Sequence, residues 1–164
     1  MSIAISEKRQ ALAQFFSPAP IARFMASLFE KVPRNVRLLD AGAGAGALSA
    51  AVVEQFCVAK EKPQSIAVTA YELDSALISR LEQTYAKCEG LCFAAGVEFK
   101  AEVLNENFLE AALPVIRGDL FTSPQTPFNA AILNPPYRKI QSDSAARFFT
   151  SLLSRFQKRI LHVG

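Results

Sequence analysis

Short apolar runs alternate with stretches of helical apolar spacing along most of the chain. Four runs are typical of buried strands, and they fall at about residues 36–41, 66–71, 97–103 and 129–133. The helical spacing predicts helices at about residues 3–14, 21–32, 48–60, 73–85, 108–115 and 144–160. Strands separated by helices predict an α/β fold with a mostly parallel sheet, helices on its faces and a ligand crevice at the carboxyl ends of the strands.

Prolines mark the breaks in this pattern. The segment from Phe15 to Pro20 contains two prolines, so we expect a rigid loop there. Pro33 should end the helix that follows this loop. Residues 118–127 have the composition of a loop and lead into the fourth strand.

The composition is that of one folded domain. The chain has 164 residues, of which 51% are hydrophobic and 20% charged, a balance that can bury a core and argues against disorder. The net charge is +3, and no run of Lys and Arg is long enough to form a basic tail. This charge permits a nucleic-acid partner without demonstrating one.

Cysteine and histidine usage excludes several kinds of chemistry. Cys57, Cys88 and Cys92 lack the spacing of zinc ligands or of a disulfide framework, and we expect small buried or half-buried residues, the last two around a helix end. The single histidine, His162, argues against catalysis by a histidine base or by several histidine ligands. No apolar stretch has the length of a signal peptide or a membrane span, so we expect a cytoplasmic protein without a membrane partner.

A glycine-rich loop follows the first predicted strand. Gly42, Gly44 and Gly46 recur at a spacing of two after Asp40, where missing side chains let a ligand lie against the backbone. Glu72 ends the second strand, from which a carboxylate can accept both hydroxyls of a ribose. An adenosine-type ligand fits this pair, and a dinucleotide is left open, whereas the lysine of a P-loop is missing. The alternative is that the small residues only pack a helix against the sheet and Glu72 is a solvated strand end.

The sequence Asn134-Pro135-Pro136-Tyr137 follows the fourth strand. The prolines hold the chain in an extended geometry, so the Asn134 side-chain oxygen and the Pro135 carbonyl can accept hydrogen bonds from one amine. That arrangement frees the nitrogen lone pair for attack on an electrophilic methyl without a strong base. Tyr137 offers a flat face for stacking a base. The alternative is a proline-rich turn with an ordinary aromatic plug.

Over about residues 5–147 the chain resembles a known family. The segments QFFSPAPIARFMASLF, LLDAGAGAGALS, AYELD, NENFLEAAL and AILNPPYRKI occur in the order of that family's motifs. They are similar to motifs of the class I S-adenosylmethionine-dependent methyltransferases, specifically the adenine-specific, gamma-type DNA methyltransferases of restriction-modification systems. The resemblance implies a Rossmann-like class I methyltransferase fold, here incomplete at the C terminus.

The resemblance also implies the cofactor and the site residues. The cofactor would be S-adenosyl-L-methionine. The implied cofactor-binding residues are Phe16, Ser17, Pro18, Pro20, Asp40, Gly42, Gly44, Gly46, Glu72, Asn107, Phe108 and Asn134. The implied catalytic residues, which hold a flipped adenine, are Asn134, Pro135, Pro136 and Tyr137. No metal site is implied.

Three features depart from the family pattern. Asn107 stands where the family usually has Asp, which would weaken a hydrogen bond to the adenine amine of the cofactor; Asp119 is the second candidate for that contact. Asn129 replaces the Asp that commonly opens the catalytic strand. After SDSAAR the chain no longer resembles the family, and the sequence FFTSLLSRFQKRILHVG has the pattern of an amphipathic helix that packs on a core.

These features divide the chain into an N-terminal helical segment with a cofactor-covering loop (residues 1–34), a catalytic core (35–147) and an atypical tail (148–164). The implied function is site-specific methylation of adenine in DNA. The same Asn-Pro-Pro-Tyr corner would also suit protein glutamine or RNA, and a third hypothesis is an inactive cofactor-binding fragment. Arg138 and Lys139 favour DNA, since they are placed to meet backbone phosphate. A separate or fused recognition region or restriction nuclease is left open, and so is the oligomeric state.

Overall fold

The computed structural model describes residues 17–117 and 127–134, which lie within one compact unit. Side chains are described for residues 17–112 and 127–134. Its strands are β1 (Asn35–Ala41), β2 (Ser65–Tyr71), β3 (Glu98–Leu104) and β4 (Ala130–Ile132). Its helices are α1 (Ala19–Ser27), α2 (Ala47–Val58), α3 (Ser75–Ala95) and α4 (Phe108–Arg117). The strands form one parallel sheet in the order β3-β2-β1-β4, which confirms the predicted α/β fold.

Helices lie on both faces of this sheet. Right-handed crossovers place α2 and α3 on one face, because β1, β2 and β3 are added in the same direction. On that face Leu38 and Ile66 join a core cluster with Phe56 of α2 and Leu81 of α3. Burial of each such side chain stabilises the fold by about 1.5–3 kcal/mol. The start of α4 lies on the other face, where the Phe108 ring packs against Tyr71 at the end of β2.

Helix α1 begins earlier and ends earlier than the sequence predicts. Pro18 is its N-cap residue, and Pro20 stands in the first turn, where a backbone N–H would have no helical partner. The predicted loop from Phe15 to Pro20 is therefore wrong for Ala19 and Pro20. The helix ends at Ser27, well before Pro33, because Leu28 N and Phe29 N turn back onto carbonyls three residues earlier.

Helix α3 differs from its prediction at both ends. Leu73 lies outside the helix and is 58% exposed, because the Asp74 side chain caps the first turn by accepting from Ala76 N at 3.0 Å. The helix continues past residue 85 to Gly96, whose left-handed conformation ends it. The three cysteines are buried free thiols, as predicted. Cys88 and Cys92, however, lie inside the helix and not around its end.

The other described elements begin and end within two residues of their predicted bounds. The predicted helices at residues 3–14 and 144–160, and residues 118–126 of the predicted loop, lie outside the described residues. In the described ranges no helix has the length and apolar character needed to cross a membrane. Those ranges also contain no cluster of three or more His, Cys, Asp or Glu residues suited to a metal ion.

Candidate functional site

The polar side chains singled out in the sequence gather at the carboxyl ends of the strands. In the sheet order β3-β2-β1-β4, the chain first builds outward from β1 on one side and then returns to β4 on its other side. Such a reversal opens a crevice at the strand ends, which is where open parallel sheets bind ligands. The glycine loop and Glu72 directly follow strands that end at this edge, and Asn134 lies two residues after the end of β4.

The glycine loop is fixed by backbone hydrogen bonds to the end of β2. Gly42 N and Ala43 N both donate to Tyr71 O, at 2.8 and 2.9 Å, so the loop folds across the neighbouring strand. Gly46 has φ +78°, and a Cβ built there would lie 2.8 Å from Leu81 Cδ1. This position therefore needs glycine both for its conformation and for the close approach of α3.

The Glu72 carboxylate is held in one orientation. It is 6% exposed, and its two oxygens accept from Gly44 N and Asp74 N, each at 2.7 Å. A carboxylate oxygen has two acceptor positions, so each oxygen keeps one position for a further donor. The fixed orientation suits two neighbouring hydroxyl groups, as the sequence predicts for Glu72.

Asn105, which the sequence analysis missed, braces the Glu72 turn. Its Nδ2 donates to the carbonyl oxygens of Glu72 and Leu73, at 2.7 and 3.2 Å. The backbone adds a second link, since Glu72 N donates to Leu104 O at 3.0 Å. A polar residue directly after a strand was the available signal, and it is the same signal that identified Glu72 and Asn134.

Asp40 lies beneath the loop and exposes no surface. Neither carboxylate oxygen has a hydrogen-bond partner of good geometry among the described residues. Burial raises the pKa of Asp40 to about 7; Ser49, close to the carboxylate, opposes this rise, and the Glu72 charge adds to it. In this conformation Asp40 lies below the loop and does not face the crevice. Its predicted contact with a cofactor stays a prediction.

Three more residues that the sequence analysis missed support the loop from below. Tyr85 of α3 is buried, its hydroxyl lies 3.0 Å from Ser49 Oγ, and burial raises its pKa, so the phenol stays protonated. Ser49 Oγ in turn donates to Gly46 O at 3.3 Å. Thr84 Oγ1 donates to Ala45 O at 2.8 Å. These residues are hard to find from sequence because the helical pattern explains their positions as ordinary core or surface.

Asn107 caps α4. Its Oδ1 accepts from Leu109 N at 3.0 Å, and its Nδ2 donates to Glu110 Oε1 at 3.0 Å. An aspartate could make the first bond but not the second, and it would face the Glu110 carboxylate. The departure from the family pattern at this position thus has a local structural reason. A contact between Asn107 and a cofactor stays a prediction.

Phe108 lies next to the crevice on the face opposite α2 and α3. Its half-buried ring meets Tyr71 edge-on, with ring centroids 5.2 Å apart. Burial, with the nearby charges of Glu106 and Glu102, raises the pKa of Tyr71. The aromatic pair gives the ends of β2 and β3 an apolar wall. A role for Phe108 beside an adenine ring is compatible with this wall and is still a prediction.

Asn129 explains the second departure from the family pattern. Its side chain pairs with β1 like a strand residue: Oδ1 accepts from Arg37 N and Nδ2 donates to Asn35 O, both at 2.7 Å. Its backbone N donates to Arg37 O at 3.1 Å, and Arg37 Nε donates to Pro127 O at 2.6 Å. An amide can both accept and donate here whereas an ionised carboxylate can only accept, so asparagine suits this contact better than aspartate.

Asn134 meets the N-terminal motif. Its Nδ2 donates to Ser17 Oγ at 3.1 Å, so the structure brings two predicted site residues from opposite ends of the chain together. Pro18 and Pro20 are exposed at the start of α1. The other predicted residues of the N-terminal and catalytic motifs, together with Asp119, Arg138 and Lys139, lie outside the described residues; they are Phe16, Pro135, Pro136 and Tyr137.

The fold and this site together indicate a class. A parallel sheet ordered β3-β2-β1-β4, with a glycine loop after β1 and an acidic residue after β2, matches the Rossmann-like fold expected from the resemblance to class I methyltransferases. The chain is 32% identical over 139 residues to the type II methyltransferase M.PstI of Providencia stuartii, and 34% identical over 144 residues to the type II methyltransferase M.BsuBI of Bacillus subtilis. It is homologous to part of these type II methyltransferases, as its motifs predict.

The aligned regions include most of this chain but only a small part of each relative. They include 85% and 86% of the chain but 26% and 27% of the relatives, so the chain spans about a quarter of their length. No model of a known protein family matches the sequence. A solved structure described as a class I S-adenosylmethionine-dependent methyltransferase, from Listeria monocytogenes, aligns over 86% of the chain and 40% of its own, with 16% identity and a TM-score of 0.49.

Proposed function

We propose that the chain carries the cofactor and catalytic elements of an adenine-specific DNA methyltransferase that uses S-adenosyl-L-methionine. The observation that carries the proposal is the placement of Glu72 and Asn134. Both follow strands that end at the crevice, one beside the glycine loop and the other against the N-terminal motif. The similarity to two type II methyltransferases supports this assignment of the crevice.

The residues around the glycine loop fit the cofactor. The remaining acceptor positions of Glu72 match the two hydroxyls of the cofactor's ribose. Cβ atoms built at Gly42 and Gly44 would meet nothing within 4 Å, so open space lies beside the loop where a ligand can approach the backbone. When bound, the cofactor supplies an electrophilic methyl group on a sulfonium ion. Asp40 is fully buried beneath the loop, and its direct contact with the cofactor stays a prediction.

Asn134 is assigned the central role toward the substrate. When an adenine amine donates to its Oδ1 and to the Pro135 carbonyl, the nitrogen lone pair is released from conjugation with the ring. Tyr137 stacks on the base, which must leave the duplex before its amine reaches the crevice. DNA is the proposed substrate, a separate or fused nuclease is a proposed partner, and the cytoplasm is the proposed location.

Transfer of a labelled methyl group tests this function. The full chain is incubated with unmethylated DNA and methyl-labelled cofactor, and label in N6-methyladenine is the expected result. Asn134→Ala should reduce the rate by about 100-fold or more, since it removes an acceptor that orients the reacting amine. Gln83→Ala removes an exposed amide on α3 and serves as the matched control.

Each other outcome of this experiment selects a different function. Label found in protein or RNA, with none in DNA, would reject DNA as the substrate and support the alternative drawn from the same corner. A folded chain that binds cofactor but labels none of these substrates would support a cofactor-binding fragment without turnover.

A further inference from the structure

Ser17 makes a contact that its place in the N-terminal motif does not explain. Its Oγ accepts a hydrogen bond from Asn134 Nδ2 at 3.1 Å, across a sequence separation of 117 residues. Both side chains are half-buried, so water competes for this bond less than it would on an open surface. The contact joins the segment before α1 to the end of β4.

The serine hydroxyl is not needed for the helix that follows it. Serine near a helix start usually caps the first turn, but the N-cap residue of α1 is Pro18, and the Ser17 side chain makes no capping bond within the described residues. The backbone there is fixed independently, since Ala22 N donates to Pro18 O at 3.0 Å. Ala22 and Ala26 are buried in the core, which holds α1 in place. Ser17 is thus a hydroxyl presented from a fixed position.

The orientation of the Asn134 amide decides whether its corner can accept an amine. An asparagine side chain has two orientations of nearly equal shape, which exchange its oxygen and its NH2 group. With the NH2 group toward the substrate, donor would face donor and the amine would lose an acceptor. Donation from Nδ2 to Ser17 keeps the NH2 group on the Ser17 side and leaves Oδ1 at the other end of the planar amide group.

We propose that Ser17 is a positioning residue for the methyl transfer, holding the Asn134 amide so that its oxygen receives the substrate amine. This inference rests on the proposed function and assigns Ser17 a role that differs from the cofactor contact expected from its motif. A cofactor contact would act on affinity for the cofactor, whereas a positioning role acts on the rate once both ligands are bound.

Two substitutions separate these roles. Ser17→Ala removes the acceptor, and Ser17→Thr keeps a hydroxyl at the same place. We expect Ser17→Ala to lower kcat about tenfold, the loss of roughly one hydrogen bond in the transition state, with an unchanged Kd for S-adenosylmethionine measured by calorimetry. Ser17→Thr should restore most of kcat. A weaker Kd with unchanged kcat in Ser17→Ala, or no change in either, would overturn the proposal.

A second readout does not depend on turnover. The side-chain amide signal of Asn134 in a 15N-labelled chain is identified by its absence from Asn134→Ala. Ser17→Ala should shift this signal and speed its exchange with solvent, and Ser17→Thr should leave it near the wild-type position. An Asn134 signal that ignores Ser17→Ala would reject the inference. A wild-type chain that transfers no methyl group would reject the proposed function instead, and the amide signal would then decide the contact alone.

Discussion

The two sides of the crevice are built in different ways. At the ends of β1 and β2 the glycine loop is held by its own backbone, with Tyr71 O accepting two N–H groups and Glu72 accepting a third from Gly44. On the β4 side the side chains of Asn129 and Asn134 add to the strand pairing with β1, and they bond to residues more than 90 positions away. The proposed cofactor side therefore depends on closer parts of the chain than the proposed substrate side does.

Because of this difference, the cofactor side is easier to recognise from a short stretch of sequence than the substrate side. The hydrogen bonds described around the glycine loop join residues that are closer in sequence, 28 positions apart for Gly44 and Glu72 and 39 for Ala45 and Thr84. On the substrate side Asn129 bonds to Asn35 and Arg37 and Asn134 bonds to Ser17, so these contacts form only in the assembled fold. We expect substitutions of residues buried beneath the loop to change the free energy of unfolding more than substitutions that remove single hydrogen bonds next to β4.

The largest effect is expected at Asp40. Its pKa is raised from an ordinary value of 3.8 to about 7, so the unfolded chain loses this proton near pH 4 and the folded chain only near pH 7. As the pH rises between these values, the free energy of unfolding should fall by about 4 kcal/mol in total, at about 1.4 kcal/mol per pH unit. Above them it should level off. Asp40→Asn does not ionise and should be more stable than wild type by up to that amount at pH 8.

Urea unfolding at pH 4, 6 and 8 checks this expectation. Glu89→Gln removes an exposed carboxylate from α3 and serves as the control. The gap between Asp40→Asn and wild type should grow with pH and then stay constant above about pH 7. A gap that is the same at all three values would show that the Asp40 carboxyl is not desolvated.

The next effect is steric and lies at Gly46. An alanine there combines a strained φ of +78° with a Cβ 2.8 Å from Leu81 Cδ1, and we expect a loss of about 3 kcal/mol in the free energy of unfolding. Gly42→Ala has a similar φ of +82° but open space around its Cβ, so it should cost only about 1–2 kcal/mol. Equal losses in both variants, measured by urea unfolding, would remove the steric part of the argument.

A smaller effect is expected at Asn129. Asn129→Asp keeps the acceptor for Arg37 N but places a carboxylate oxygen against Asn35 O, where Nδ2 now donates at 2.7 Å. We expect a loss of about 1–2 kcal/mol, because a bond is lost and two acceptors then face each other. Thermal unfolding measures it. A more stable variant would mean that the family's usual aspartate suits this strand after all.

The smallest effect is expected at Asn107. Asn107→Asp should change the free energy of unfolding by less than about 0.5 kcal/mol, since both residues cap helices well and repulsion from Glu110 offsets the favourable helix dipole. Calorimetry with S-adenosylmethionine gives the second reading of this variant. Unchanged affinity would assign Asn107 to capping alone, and tighter binding would support a contact with the cofactor's adenine.

The difference between the two sides of the crevice also explains which features can be predicted from the sequence. The alternation of strands and helices, the glycine loop and the strand-end position of Glu72 are visible in the sequence because each depends on local spacing. The start of α1 was misplaced because proline was treated as a helix breaker, although Pro20 occupies the first turn. Asn105 and Tyr85 were missed, and so was the partner of Asn134, because their roles come from residues on other elements.

The central claim is that the glycine loop and Glu72 bind S-adenosylmethionine. Calorimetric titration of the full chain with this cofactor tests it most directly, with circular dichroism to show that each protein is folded. We predict saturable binding at one site, weakened at least tenfold in Glu72→Gln and unchanged in Gln83→Ala. A folded wild-type chain that does not bind the cofactor, or a Glu72→Gln variant that binds it as tightly as wild type, would contradict the account.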